Sequence, residues 1–254
     1  MIKKYEIVEF LGKERKIRED LVIEESPLEV EFCYNRECKS VIIMRTPIDE
    51  EELILGFAFT QGLISSIRDV ESIERIHENK IRVNILNKII KISKDFIDSS
   101  CGICGSSFIE FIKDIISKKF KVESKVIFSL PIKLKENQKL FNITGALHAA
   151  GLFDTEGNLL AISEDVGRHN AVDKAIGKLL KSNMIPPPPS ILQVSGRAGY
   201  EIVLKALIAR IPIVSSISAP TSGAIELARA SGITLISFLR NERFNVYSHE
   251  ERLI

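Results

Sequence analysis

The sequence lacks each feature that would direct the chain to a nucleic acid, a membrane or an oxidising compartment. Its charges nearly cancel, 35 Lys and Arg against 34 Asp and Glu, for a formal net charge of +1. Composition therefore supplies no basic field to hold a polyanion, and nucleic acid is excluded as the partner it would select. No apolar run approaches the length of a membrane span. Met1-Ile2-Lys3-Lys4-Tyr5-Glu6 leads into mixed charge, with none of the apolar core of a secretion signal. Four cysteines, Cys33, Cys38, Cys101 and Cys104, are too few and too clustered for a secreted disulfide scaffold. No internal repeat is visible. The expectation is a soluble, cytoplasmic protein. What is present is an ordinary globular balance, 45% hydrophobic and 27% charged over 254 residues, with room for one large domain or two smaller ones.

The densest chemistry lies in Asp98-Ser99-Ser100-Cys101-Gly102-Ile103-Cys104-Gly105-Ser106-Ser107. Two thiols stand three residues apart, each followed by glycine. Phe108, Ile109, Phe111, Ile112, Ile115 and Ile116 then recur at helical spacing, and Ser107 with Glu110 forms a capping-box pair. Both thiols thus precede a helix N-terminus, whose free N–H groups and positive dipole end favour a thiolate. A C-x-x-C pair alone leaves three readings open: half of a zinc site, a redox pair, or two cysteines without special chemistry. Cys33 and Cys38 flank the hairpin loop Asn35-Arg36-Glu37. They read as small residues in paired strands, or with Cys101 and Cys104 as a four-thiolate zinc site.

The first 46 residues read as strands, and acidic residues after Thr46-Pro47 open a helix over Leu53–Leu63. Alternation near 70–94, including Ile81–Ile85 and Ile89–Ile92, predicts further strands, with His77 in a solvated turn. A short helix is expected near Lys133–Phe141, then strands at His148–Phe153 and Leu159–Ser163. Helices follow at Arg168–Lys181, Gly199–Arg210 and Ser222–Ala230, the last capped by Thr221 and stopped by Gly232. Strands Ile191–Val194, Ile213–Ser216, Thr234–Leu239 and Asn245–Tyr247 complete the pattern. The fold class is α/β. A smaller, strand-rich α+β N-terminal domain over 1–130 ends in the thiol loop and its helix. An α/β layered domain over 131–254 has a largely parallel second half.

Three polar clusters interrupt the apolar second half, each at a strand end: Ser163–Asn170, Gln193–Tyr200 and Leu239–Arg243. Strand C-termini and helix N-termini are where open α/β sheets bind ligands. Arg168, Arg197, Arg240 and Arg243 are expected to converge on one pocket suited to phosphate or pyrophosphate. Ser218–Gly223 adds hydroxyls and a glycine. His169 is either an acid/base or phosphate donor or a structural cap; His148 faces the same pocket; His249 is tail surface.

The segments Cys101-Gly102-Ile103-Cys104-Gly105, Thr144–Ala150, Glu164–Lys174, Ser195-Gly196-Arg197 and Ser218–Ser222, in this order, resemble the FdhD family of formate dehydrogenase accessory sulfurtransferases. The resemblance implies that a cysteine desulfurase passes sulfur to Cys101, which carries it as a persulfide with Cys104 as its partner. The sulfur then goes to the molybdenum (or tungsten) cofactor in its bis(molybdopterin guanine dinucleotide) form, needed by formate dehydrogenase. It also implies a cytidine-deaminase-like C-terminal domain and a homodimer. Phe238, Leu239, Arg240, Asn241, Glu242 and Arg243 match the segment expected to line the guanine dinucleotide site. Arg168, His169, Asn170, Ser195, Gly196, Arg197, Ser218 and Thr221 are the other candidate cofactor-binding residues. The H-x-E and P-C-x-x-C of a zinc deaminase are missing, their places held by Gly167–Asn170 and Ser195–Ala198, so no zinc is expected. Two rival readings remain: a thiol–disulfide oxidoreductase using Cys101 and Cys104, and a non-enzymatic cofactor- or nucleotide-binding chaperone with structural cysteines.

Overall fold

The computed structural model describes residues 1–86, 120–185 and 187–254. The thiol loop with Cys101 and Cys104, the helix expected after it and the strand expected at Ile89–Ile92 lie outside the described residues.

The chain opens with an antiparallel ribbon, β1 (Ile2–Leu11) and β2 (Glu14–Ile23), which forms a sheet of its own. Next come β3 (Ser26–Tyr34), β4 (Glu37–Arg45), helix α1 (Glu50–Thr60), β5 (Val70–His77) and β6 (Lys80–Ile85). These four strands form a second sheet in the order β4-β3-β6-β5. The second half holds α2 (Ser124–Glu136), α3 (Lys139–Thr144), β7 (His148–Asp154), β8 (Leu159–Asp165), α4 (Arg168–Lys181) and β9 (Ser190–Val194). It continues with α5 (Tyr200–Ile208), β10 (Ile213–Ser216), α6 (Ser222–Ser231), β11 (Thr234–Arg240) and β12 (Arg243–Ser248). Its sheet has the order β12-β11-β10-β9-β7-β8. The expected cap and stop of α6 are both present: the Thr221 hydroxyl accepts from Ala224 N, and Gly232 turns left-handed at φ 78°.

Alternation along the central strands divides the layers. Phe153, Ile191, Ile213 and Ile236 pack with Ile127 and Leu130 of α2. Leu152, Leu192, Val214 and Leu235 join the core that contains α4, α5, α6, α1 and the inner face of the four-stranded sheet. Helices α1 and α4 meet at backbone distance. A Cβ on Gly56 would lie 1.8 Å from Asp173 O, and one on Gly177 would lie 1.9 Å from Glu52 O. Only glycine permits that approach. Two buried ion pairs bracket the crossing: Lys174 Nζ to Asp165 Oδ2 at 2.6 Å, and Lys205 Nζ to Asp173 at 2.8 Å, with the Thr60 hydroxyl also donating to Asp173.

Two expectations are corrected. Cys33 and Cys38 are directly opposed on β3 and β4 and joined as a disulfide. They therefore offer no thiolates to a four-cysteine zinc site, and they are more than small packing residues; the turn between them is Asn35-Arg36, with Glu37 already paired in β4. The single helix near 133–141 is two helices, and the first begins at Ser124 and runs through Pro131. The expected largely parallel second half is present: β9, β10 and β11 pair parallel, with β12 antiparallel at the edge, and β7 and β8 form the expected antiparallel hairpin.

Candidate functional site

Strand direction gathers the polar clusters along one sheet edge. β8, β9, β10 and β11 run one way, and β7 and β12 the other. The C-termini of the first four therefore share an edge with the N-termini of the other two. His148, Asp165, Ser195, Ile217, Arg240 and Arg243 all belong to that edge.

On the α2 side of it lies a cavity of about 760 Å³. Its floor is the strand edge: His148, Ser195, Ile217, Leu239, Arg240 and Asn241. Phe128, Pro131, Ile132 and Lys135 of α2, with Gln138 and Phe141, cover it, and Gly145-Ala146-Leu147 forms a wall. Gly145 ends α3 at φ 69° and turns the chain into that wall. Phe128 is fixed from behind by the Phe244 ring, centroids 5.0 Å apart. The β11–β12 hairpin presents Arg240 opposite Arg243 across the Asn241-Glu242 turn. A bulge precedes it, where Phe238 sits at φ 55° and its N–H donates to Ser218 O at 3.1 Å. Ser195 Oγ accepts from Ala149 N at 2.9 Å. Apolar and aromatic walls with Lys135, Arg240, Asn241 and His148 at intervals suit a flat, ring-bearing ligand that carries anionic groups.

A second cluster adjoins the cavity at His148. Gly196 fits closely there: a Cβ on it would stand 3.3 Å from His148 Nδ1 and 3.7 Å from Arg168 Cβ. Arg168 Nε is buried and makes no hydrogen bond. Burial lowers the His148 pKa, and the Arg168 charge lowers it further. His169, one residue into α4, reaches Glu201 in the first turn of α5, Nε2 to Oε2 at 2.7 Å. Burial, with Arg168, Lys205 and His148 as positive neighbours, pushes His169 down to about 4. At neutral pH the contact is thus a neutral imidazole donating Nε2–H to the Glu201 carboxylate.

The cavity takes Ser195, Leu239, Arg240 and Asn241 from the expected residues, together with His148. Arg168, His169 and Gly196 form the neighbouring cluster. Asn170 is a tie to the N-terminal sheet, donating Nδ2 to Met44 O at 2.7 Å and to Asp165 at 2.9 Å. Thr221 caps α6. Phe238, Glu242, Arg243, Arg197 and Ser218 do not line the cavity. The four arginines therefore do not converge on this cavity: Arg240 alone lines it. Sequence reasoning missed the cover over the cavity. Its signal was there in Phe128, Ile132 and Lys135, spaced i, i+4, i+7 on one helix face, but it runs across Pro131, which reads as a helix breaker.

Fold and site define a mixed α/β protein with a ligand-sized cavity at a strand-end edge, and the comparisons place it among proteins of one kind. The model of the FdhD/NarQ family matches residues 23–254. The chain is 48% identical over 253 residues to the sulfur carrier protein FdhD of Saccharolobus solfataricus, covering 99% of this chain and 98% of that one. It is 49% identical to the sulfur carrier protein FdhD of Sulfolobus acidocaldarius, at the same coverage. A crystal structure described as a formate dehydrogenase accessory protein from Desulfotalea psychrophila superposes with a TM-score of 0.79 and 28% identity, covering 100% of this chain and 99% of that one. The chain belongs to the FdhD/NarQ family.

Proposed function

We propose that the chain is a cytoplasmic sulfur carrier that loads a pterin-dinucleotide metal cofactor for formate dehydrogenase. The observation that carries this reading is near-complete coverage of relatives named sulfur carrier protein FdhD at 48–49% identity. The cavity supports it independently: it has the size and lining for part of a guanine dinucleotide, with ring-shaped apolar walls and cationic groups for phosphate. The deaminase-like layering implied by the resemblance belongs to the same reading, with cargo in place of zinc.

Sulfur enters by thiolate exchange. The Cys101 thiolate attacks the outer sulfur of a cysteine desulfurase persulfide; a new S–S bond forms on Cys101, and the desulfurase cysteine leaves as its thiolate. Release to the metal as sulfide needs two electrons. Cys104 supplies them by attacking the inner sulfur of the Cys101 persulfide, which forms a Cys101–Cys104 disulfide and frees hydrosulfide. The cavity's part is to hold the cargo in one orientation, so positioning dominates over acid–base chemistry.

The test is activation of formate dehydrogenase in a host lacking its own family member. The chain should restore activity, and Cys101→Ala should not. Full restoration by Cys101→Ala would leave a binding chaperone as the better reading.

A further inference from the structure

Cys33 and Cys38 form a pair of sulfurs that the sulfur-carrier reading does not use. Their bond joins opposed residues of β3 and β4 next to the hairpin tip. The hairpin does not need that bond for its register. Asn35 and Arg36 make the turn at φ 47° and 71°, the left-handed pair whose twist matches that of the strands. β3 and β4 then pair without a shift from Tyr34–Glu37 to Ser26–Arg45. On its other side β3 is held by β6, with Cys33 in register with Asn84. A disulfide stabilises most where it closes a long loop, and this one spans a sequence separation of 5.

The two sulfurs differ in access. Cys33 is 5% exposed, whereas Cys38 lies exposed on β4, an edge strand of its sheet. Arg36 and Lys39, both exposed, lie within two residues of Cys38, and cations beside a cysteine favour its thiolate. Along β3, Leu28, Val30 and Phe32 point into the core. Cys33 therefore falls on the opposite face of the sheet, and opening the bond removes no core contact. In a thiol-buffered cytoplasm, where the sulfur-carrier reading sets the chain, disulfides are chiefly transient, catalytic or redox-sensing.

We propose that Cys33 and Cys38 are a thiol–disulfide exchange site whose substrate is a dithiol reductant, the bonded pair being its oxidised state. A thiolate of the dithiol attacks Cys38 Sγ, the accessible sulfur. The Cys33–Cys38 bond breaks, and Cys33 leaves as a thiolate that takes a proton from solvent. The second thiolate of the dithiol attacks the dithiol sulfur of the mixed disulfide, and Cys38 leaves as its thiolate. Two electrons pass to the chain, and the dithiol ends as its own disulfide. In the reverse direction Cys38 attacks an external disulfide and Cys33 resolves the product, which re-forms the bond. Only the cytoplasmic setting is taken from the sulfur-carrier reading, and the exchange stands whether or not Cys101 carries sulfur.

The test uses the full chain with Cys101→Ser and Cys104→Ser, in which Cys33 and Cys38 are the remaining cysteines and no persulfide step contributes. Dithiothreitol is the probe, and thiols are counted by alkylation and intact mass. Both thiols should appear in the folded chain, at a rate proportional to dithiothreitol and about tenfold or more above the rate of unfolding. Glutathione disulfide should return the reduced pair to its bond. With Cys33→Ser added, Cys38 should form a mixed disulfide with glutathione disulfide about tenfold or more faster than Cys33 does in the corresponding Cys38→Ser chain. A bond that opens only as the chain unfolds would overturn the proposal and leave a structural staple. Cys33 reacting as fast as Cys38, or a reduced pair that does not re-form its bond, would overturn it as well.

Discussion

Lys174 Nζ stands 2.6 Å from Asp165 Oδ2 with both side chains shut off from water, and the pair ties the two sheets together. Lys174 also donates to Thr46 O at 3.1 Å, and Asp165 accepts from Thr46 N at 3.1 Å. Burial draws the lysine pKa down, opposed by the attraction of Asp165. Lys174→Met leaves a buried carboxylate without its cation and should cost about 3–5 kcal/mol in urea unfolding. Asp165→Asn in that background should recover part of the loss. A single-variant loss below about 1 kcal/mol would refute this account of the pair.

The glycine crossing makes a steric prediction. Gly177→Ala forces a methyl group onto Glu52 O and must push α1 from α4, a cost of about 3 kcal/mol or more. Ala at Gly199, where nothing lies within 4 Å of an added Cβ, is the control and should be nearly neutral. Equal unfolding midpoints for the two variants would contradict the close approach.

His169 gives the protein an acid-sensitive element. Its folded pKa, about 4, lies below the unfolded value of 6.5, so between these values the unfolded chain binds the proton first. The contribution is intact above about pH 6.5 and is lost as pH falls toward 4. With the side chain about one-third exposed, solvent screening leaves it roughly 1–2 kcal/mol. His169→Gln should flatten the stability–pH curve in that window. An unchanged slope would show that the imidazole is not held neutral by its surroundings.

Arg240 lines the cavity yet is exposed, so its loss should touch binding and spare folding. With guanosine diphosphate as the probe, Arg240→Ala should weaken binding about 10- to 100-fold in calorimetry, with unfolding stability changed by no more than about 0.5 kcal/mol. Wild-type affinity should also fall with added salt. Equal affinity in the variant would remove Arg240 from the ligand site.

The legible parts of the fold were those whose signal is local. Thr221 and Gly232 bound α6 because a hydroxyl cap and a left-handed glycine act within one turn. α4 was legible at its full length because its apolar face recurs without interruption. The start of α2 was hidden by Pro131, and the Cys33–Cys38 bond by the equal fitness of cysteine as a small strand residue. For the site, strand ends identified the edge but not the side. Ser195 and Arg240 reach the cavity under α2, whereas Arg168 and His169 begin α4 on the opposite layer. Which layer a loop serves depends on the packing of the whole sheet, and that is not written in any one segment.

The central claim is that the chain carries sulfur on Cys101, and intact-mass spectrometry reads that directly. The protein is incubated with a cysteine desulfurase and cysteine without reductant, beside Cys101→Ala and Cys104→Ala. The account predicts a reducible gain of one sulfur atom in Cys104→Ala, which lacks the thiol that discharges the persulfide, a gain or a Cys101–Cys104 disulfide in wild type, and no gain in Cys101→Ala. Cys104→Ala protein that gains no sulfur, or a gain that survives in Cys101→Ala, would contradict it.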